Sequence, residues 1–227
     1  MSPYFDRIAP AFLTGHQLDE LLALGWYRMH QTVFTCSHIG QEELHRVHWL
    51  RYHINSITQR TSHRKIERRC QAFRTVIQDF SEIQKEHIEL HIQYRAFIDF
   101  DGAESIQECL FGDEQLHHNI FNTKCISVFD GDKLIAGGYF DVGEIAVASI
   151  LHFFHPNYAR YSLGKWMILA TLGYMRDNNL KLYYPGYVVQ GVPKMNYKLF
   201  LGPTHAQYFD PEVFKWKPFE DSILQLL

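Results

Sequence analysis

Lys194 and Lys198 stand four residues apart in the stretch QGVPKMNYKLFLG, with Met195 and Tyr197 between them and Gly191 loosening the approach. Upstream, the run LKLYYPGYVV alternates through Leu182, Tyr184 and Tyr187, with Gly186 interrupting it. Further back, Ser162-Leu163-Gly164 opens a segment with apolar residues at Leu163, Trp166, Met167, Ala170 and Tyr174. That i, i+3, i+4 spacing predicts a helix packed on one face. Asn178 and Asn179 close it, because Asn tolerates the left-handed C-terminal conformation. The first turn of such a helix presents backbone N–H groups that can receive a phosphate or carboxylate. Ahead of it, ASILHFFHP is a β-branched and aromatic run stopped by Pro156, which predicts a buried strand. A strand end, a helix N-terminus and a basic loop are therefore expected to converge between Ala148 and Pro203.

Histidine is abundant, with 14 in 227 residues, so a metal site is an alternative to weigh. His87 and His91 stand at i, i+4, but HIELH carries its glutamate in the middle position and is not the HExxH zinc motif. His152 and His155 fall on a strand and its end, where that spacing sends them to opposite faces. No metal and no cofactor are expected. The four cysteines (Cys36, Cys70, Cys109, Cys125) form no CxxC pair, which fits reduced thiols in a cytoplasmic protein.

The composition, 46% hydrophobic and 21% charged, is that of an ordinary globular chain, long enough for one large core or two closely packed halves. No apolar run approaches the roughly 20 residues that span a bilayer. The opening MSPYFDRIAP lacks the basic segment and apolar core of a secretory signal. The net charge of −3 conceals an asymmetry: from Arg46 to Arg74 there are eight Lys/Arg and a single acid, Glu67. Such a run is either a solvated face or a surface for a polyanion such as RNA.

The elements that must position these groups follow from the same patterns. A short helix is expected over 14–24, a strand over 26–34, and a half-buried strand over 48–55 with Leu50, Tyr52 and Ile54 inward. Residues 41–45 read as loop or a helical turn. Ile66, Cys70, Phe73, Ile77 and Phe80 form a stripe that predicts one helix running through all five. Ser81 and Gln84 resemble a capping box for a second helix over 82–96. Gly102 and Gly112 bracket a shorter one. Cys125–Phe140 reads as a hairpin about Asp130-Gly131-Asp132, followed by a turn at 141–144 and another strand. Antiparallel strands, then helix, then strand give an α+β fold.

That order resembles the GNAT (N-acetyltransferase-like) fold, a mixed sheet flanked by helices. The residues go further. SILHFFHPNY, YSLGKWMIL, YYPGYVV and VPKMNYK are similar, in this order, to the C-terminal region of the arginyl-tRNA–protein transferases and the related bacterial leucyltransferases. The resemblance sits on Phe154-His155-Pro156, Ser162-Leu163-Gly164, Tyr184-Pro185-Gly186-Tyr187 and Pro193-Lys194-Met195-Asn196-Tyr197-Lys198. It extends to DKLIAGG at 132–138 and DPEVFKW at 210–216. LDELLALGWYRM and QRTSHRKIERR resemble its N-terminal stretches. It divides the chain into an N-terminal region, 1–60, and a GNAT-like aminoacyltransferase domain, 61–227. Pro185 stands where the family has leucine, and Val192 where it has cysteine. With no paired cysteines, the metal-binding cluster of the eukaryotic members is not expected.

The resemblance implies transfer of an aminoacyl group, with arginine favoured over leucine, from charged tRNA to the N-terminal amine of an acceptor protein, expected to be acidic. The donor is an activated ester and the amine has a reference pKa of about 7.7–8.0, so positioning should supply most of the rate. Tyr197, Lys194 and Tyr187 are the implied catalytic residues, with Tyr197 as proton donor to the leaving oxygen. Ser162, Leu163, Gly164, Gly186, Met195 and Lys198 are the implied substrate contacts. Arg28, Arg64 and Lys65 are the implied contacts to the tRNA backbone. Two alternatives remain open, an acyl-CoA N-acyltransferase and a non-catalytic tRNA- or peptide-binding module.

Overall fold

Local signals set the first elements. A computed structural model describes residues 3–40, 43–99, 102–112 and 118–224. After β1 (Phe5–Ile8), α1 (Gly15–Ala23) opens on a capping box: Gln17 N–H donates to Thr14 Oγ1 at 3.2 Å and Thr14 N–H to Gln17 Oε1 at 2.9 Å. The strand expected over 26–34 is instead a hairpin of β2 (Tyr27–Met29) and β3 (Thr32–Cys36). It turns at His30, whose φ of 55° is left-handed, a region that histidine enters more readily than most residues. β1, β3 and β2 form a small three-stranded sheet.

After β4 (His38–Ile39), β5 (His45–His53) buries Leu50 and Tyr52 as its alternation predicts. His48 and Trp49 are buried as well, because both faces of this strand are covered. Ile54 is buried too, but in a 3-10 turn beyond the strand. The expected loop over 41–45 lies partly outside the described residues. The helix read through Phe80 stops early: α2 (Thr61–Cys70) gives way to β6 (Arg74–Asp79). Consecutive β-branched Thr75, Val76 and Ile77 favour extended backbone, and β6 has a partner along its whole length. α3 (Lys85–Phe97) occupies the expected place, but Gln84 is its N-cap and no side-chain cap bond forms. α4 (Ile106–Phe111) ends at Gly112, φ 74°.

The second half follows its pattern closely. β7 (Thr123–Asp130) and β8 (Lys133–Val142) form the hairpin, then come β9 (Ala146–Phe154), α5 (Leu163–Asp177), β10 (Leu182–Val189), β11 (Ala206–Asp210) and β12 (Lys215–Pro218). The large mixed sheet runs β12-β11-β5-β10-β9-β8-β7-β6, with β4 on β5. β10 and β9 run parallel, whereas the other pairings in this sheet are antiparallel. β5 lies hydrogen-bonded between β10 and β11.

β9 and β10 pair only from Leu182↔Ala146 to Tyr184↔Ala148. Beyond that, β9 stays with β8 to its end, and β10 bulges between Tyr183 and Gly186 and stays with β5. The bulge contains Pro185, which has no N–H for a ladder, and Gly186, whose φ of 95° suits glycine. The sheet therefore opens toward the C-terminal ends of its two parallel strands.

α2 and α5 cover one face, with Ile66 of α2 and Met167 and Leu172 of α5 in one cluster with Leu50, Tyr52 and Ile126 of the sheet. The other face carries α1 and the small sheet around Tyr27, Trp49 and Tyr184, and α3 with α4 around Leu90, Tyr139 and Phe153. His87 of α3 is fully buried and accounted for, with Nδ1 3.0 Å from the Tyr139 hydroxyl and Nε2 2.9 Å from Ser127 Oγ. None of the helices among the described residues is long and apolar enough to cross a membrane.

Burial lowers the pKa of both His48 and His87 to about 4, so the fold holds them neutral. The unfolded chain protonates them near 6.5. Their stabilisation is present above that pH and is lost as pH falls from about 6.5 toward 4. The urea midpoint should therefore drop between pH 7 and 4.5, and less steeply in His87→Gln. A flat profile across that window would show that these burials do not govern acid stability.

Candidate functional site

A 3-10 segment, Pro193–Leu199, that carries PKMNYK packs against β10 beside this opening, with Lys198 next to Gly186 and Tyr187. Phe200 ties three elements together at this point. His63, near the start of α2, accepts at Nδ1 from Arg60 N–H (3.3 Å), leaving Nε2–H to donate to the Phe200 carbonyl (3.3 Å). Lys165, in the first turn of α5, holds its ammonium 5.3 Å from the centre of the Phe200 ring. The start of α5 and the lysine segment thus meet at Phe200, beside α2.

Lys198 occupies the middle. Its carbonyl accepts from the Tyr52 hydroxyl at 3.0 Å, which fixes its backbone on β5. Its ammonium donates to the Tyr187 carbonyl at 2.8 Å and lies 5.0 Å from the Tyr187 ring and 5.5 Å from the Tyr197 ring. The arm runs beside Gly186, where a side-chain carbon would come within 3.6 Å of Lys198 Cε. Burial alone brings the amine's pKa down to about 8.

Tyr197 has two different ends. Half of its surface is open to solvent, while its hydroxyl is turned into protein near Tyr94 of α3 and Tyr187. Burial pushes that hydroxyl up to about 12, so it is a proton donor rather than a base. Tyr187 packs edge-on against Trp49 at 4.9 Å. Met195 packs into the same cluster, while Lys194 is exposed on the first turn of the segment. Tyr183 puts a buried hydroxyl near Ser149 and Tyr197; the Ser149 contact falls short of hydrogen-bond geometry, and the hydroxyl has no partner that meets it.

Ser162 is the N-cap of α5, with a left-handed φ of 58° and no side-chain cap bond. A side-chain carbon at Gly164 would meet nothing within 4 Å, so this glycine borders open space rather than a close helix–sheet contact. Leu163 departs from its expected role: its side chain is fully buried in the core, leaving only its backbone to face a ligand.

Arg28 also departs. Its guanidinium is buried, donates to Asp141 at 2.9 Å and Thr123 Oγ1 at 3.0 Å, and reaches the Leu110 carbonyl at 2.8 Å. It pins the β2–β3 hairpin to β8 and offers nothing to a tRNA backbone. Arg64 and Lys65 are exposed on α2 as expected, beside Arg68 and Arg69. Between α2 and α5 lies an open groove of about 620 Å³ lined by Arg64, Arg68, Gln71 and Trp166. Arg69 contacts the Arg160 carbonyl at 3.5 Å, so the basic face of α2 continues toward the start of α5.

Sequence reasoning missed Tyr94, Tyr183 and His63 as neighbours of this site. Tyr183 alternates out of the Leu182–Tyr184–Tyr187 set, and Tyr94 and His63 sit on helices whose docking no local pattern announces. A further cleft, of about 520 Å³, runs between α3 and α4 and is lined by Ile83, Ile88, Ile92 and Glu104.

Comparison with known proteins bears on this region. A family model described as "Arginine-tRNA-protein transferase, C terminus" matches residues 69–208, from the end of α2 into β11. Arginyl-tRNA–protein transferase 1 of Saccharomyces cerevisiae is 34% identical over 91 residues, 40% of this chain and 18% of that protein. The aspartate/glutamate leucyltransferase of Helicobacter hepaticus is 26% identical over 216 residues, 93% of this chain and 86% of that protein. A solved C-terminal domain assigned to lysylphosphatidylglycerol synthetase of Agrobacterium fabrum is 10% identical over 63% of this chain and 48% of its own, with a TM-score of 0.47. The matches to the yeast, Drosophila melanogaster and first Arabidopsis thaliana enzymes span only 18–20% of those proteins. With the family model covering well over half of the sequence, including β10 and the PKMNYK segment, the chain belongs to the arginine-tRNA-protein transferase C-terminal family.

Proposed function

We propose that this chain moves an aminoacyl group from charged tRNA to the N-terminal amine of an acceptor protein. The observation that carries the reading is the partly buried Lys198 with its tyrosines, beside the bulge at which β10 leaves β9 and inside the segment matched by the family model. The reaction breaks the ester between the amino acid and the tRNA ribose and forms an amide. The attacking amine loses a proton and the ribose hydroxyl gains one. Tyr197, protonated at neutral pH, is suited to donate to the leaving oxygen. Ser162 and Gly164 border the α5 N-terminus, whose first-turn N–H groups suit a phosphate or carboxylate. Arg64, Lys65 and Arg68 are placed to follow the tRNA backbone along α2. The acceptor is read as acidic and the compartment as the cytoplasm, where charged tRNA is found.

The donor is the point at which the geometry changes the expectation. Arginine wants a carboxylate beside it, whereas among the described residues Lys198, Tyr183, Tyr187 and Tyr197 offer one cation, hydroxyls and aromatic rings. We therefore put leucine ahead of arginine. The near full-length alignment with a protein named as a leucyltransferase supports this.

A transfer assay with labelled Leu-tRNA and Arg-tRNA against peptides beginning Asp, Glu or Ala tests the reading. Transfer from Leu-tRNA is expected; no transfer from either, together with tight acetyl-CoA binding, would favour the acyl-CoA alternative. Binding of charged tRNA without turnover would favour a non-catalytic role. Tyr197→Phe should lower kcat on the order of 100-fold with the fold intact. Full activity in that variant would remove Tyr197 from proton transfer.

The α2 surface can be tested separately. Fluorescence anisotropy of tRNA binding across a salt series should show the slope of log K against log salt falling by about 2 in the double variant Arg64→Ala, Arg68→Ala. An unchanged slope would mean that the RNA lies elsewhere.

A further inference from the structure

The last carbonyls of a short 3-10 turn have no partner within the turn, so their hydrogen bonds must come from elsewhere. At the end of the Pro193–Leu199 segment two of them are met by side chains from the first third of the chain. The Lys198 carbonyl accepts from the Tyr52 hydroxyl at 3.0 Å, and the Phe200 carbonyl accepts from His63 Nε2 at 3.3 Å. Phe200 in turn donates its N–H to the Tyr197 carbonyl at 3.0 Å. Two hydrogen bonds in series therefore lead from α2 to the backbone of Tyr197.

His63 is buried, although Arg64 and Lys65 beside it are exposed on the same helix. Its two nitrogens have separate duties. Nδ1 accepts from Arg60 N–H at 3.3 Å and so closes the start of α2. Nε2 is thereby left to donate to Phe200. Burial lowers the ring's pKa, so it stays neutral, the form in which one nitrogen accepts while the other donates. The ring also packs at 60° against the Phe200 ring, with centroids 4.8 Å apart. Thr58 Oγ1, 3.0 Å from His205 Nε2, ties the same stretches together a second time. A histidine that served only the helix start would need one nitrogen; the other is committed to the segment.

We propose that His63 is a positioning residue for the transfer step: by holding the Phe200 carbonyl it sets Tyr197 in place relative to the α2 face that carries the tRNA. This deepens the aminoacyl-transfer reading and rests on it. A proton donor misplaced by a small distance loses much of its effect, because the reacting atoms must meet in one geometry. The RNA backbone follows Arg64 and Arg68. His63 adjoins Arg64 in the chain but turns inward, and it links that surface to the hydroxyl that protonates the leaving oxygen. It contributes no group of its own to the reaction.

The test compares the full chain with His63→Asn and His63→Gln. An Asn amide reaches the Arg60 N–H but stops one bond short of Phe200. A Gln amide has an oxygen for the first and an N–H for the second. With the donor tRNA that the parent chain uses, His63→Asn should lower kcat about 10- to 100-fold, and His63→Gln should restore most of it. The KM for charged tRNA and its affinity by anisotropy should stay at the parent values. In the Tyr197→Phe background His63→Asn should cost little more, because it acts through Tyr197. Parental kcat in His63→Asn would overturn the proposal, as would a fully additive loss in the double variant. Equal losses in His63→Asn and His63→Gln would make His63 a packing residue only. Weaker tRNA binding at unchanged kcat would make it a support for the RNA face and equally overturn the proposal. If the parent chain transfers from neither tRNA, the aminoacyl-transfer reading falls, and amide hydrogen exchange across 193–200 decides the tether by itself. Faster exchange in His63→Asn than in His63→Gln or the parent would support it; equal rates would sink it.

Discussion

β9 and β10 are hydrogen-bonded through three residue pairs and then part, and this separation governs the rest of the molecule. A continuous ladder would have closed the sheet and left no route to its interior from the strand ends. The break is chemical in origin. Pro185 cannot donate to a ladder and Gly186 takes a backbone angle that side chains disfavour, so β10 shifts register against β5 as it leaves β9. What lies beside the opening then follows from chain geometry. The segment after β10 folds back against it as a 3-10 turn and places Lys198 beside the residue that made room for it.

The two faces of the sheet divide the work. On one, α2 and α5 bury Met167 and Leu172 while presenting arginines outward and a helix start toward the opening. On the other, α3 brings Tyr94 near the Tyr197 hydroxyl and uses His87 to satisfy Tyr139 and Ser127 in the core. The cations on the outside are hydrated and suit a long polyanion. The cation in the middle, Lys198, is partly buried between tyrosine rings.

Much of this was legible in the residues. The β7–β8 hairpin, β9, α5 and β10 carry their own punctuation in Gly131, Pro156, Asn178 and Asn179, so local rules suffice. The stripe from Ile66 to Phe80 misled because a 4-3-4-3 spacing describes a helix only while the backbone stays helical. Beyond Cys70 it is overruled by β-branched residues with a strand to pair with. Arg28 misled differently, since an arginine in a sequence carries no sign that Asp141 will lie beside it in the core. Lys198 was visible as a candidate, but its seat between the Tyr187 and Tyr197 rings, with its ammonium on the Tyr187 carbonyl, is a property of the folded chain and not of its sequence neighbours. Pro185 looked like a departure from the family pattern, and its placement in the bulge gives it a structural purpose.

The position of β5 carries a consequence for how the molecule is made. Residues 45–53 are synthesised well before their neighbours in the sheet, residues 182–189 on one side and 206–210 on the other. On the ribosome this strand waits with both main-chain edges largely unsatisfied until most of the chain has emerged. It is rich in apolar and aromatic residues, Val47, Trp49, Leu50 and Tyr52 among them, the kind of segment that pairs with the wrong partner when left exposed. Its interleaved Arg46, His48, Arg51 and His53 break that apolar run with polar and charged groups during the wait. The basic character of this stretch thus serves the nascent chain before it serves any ligand.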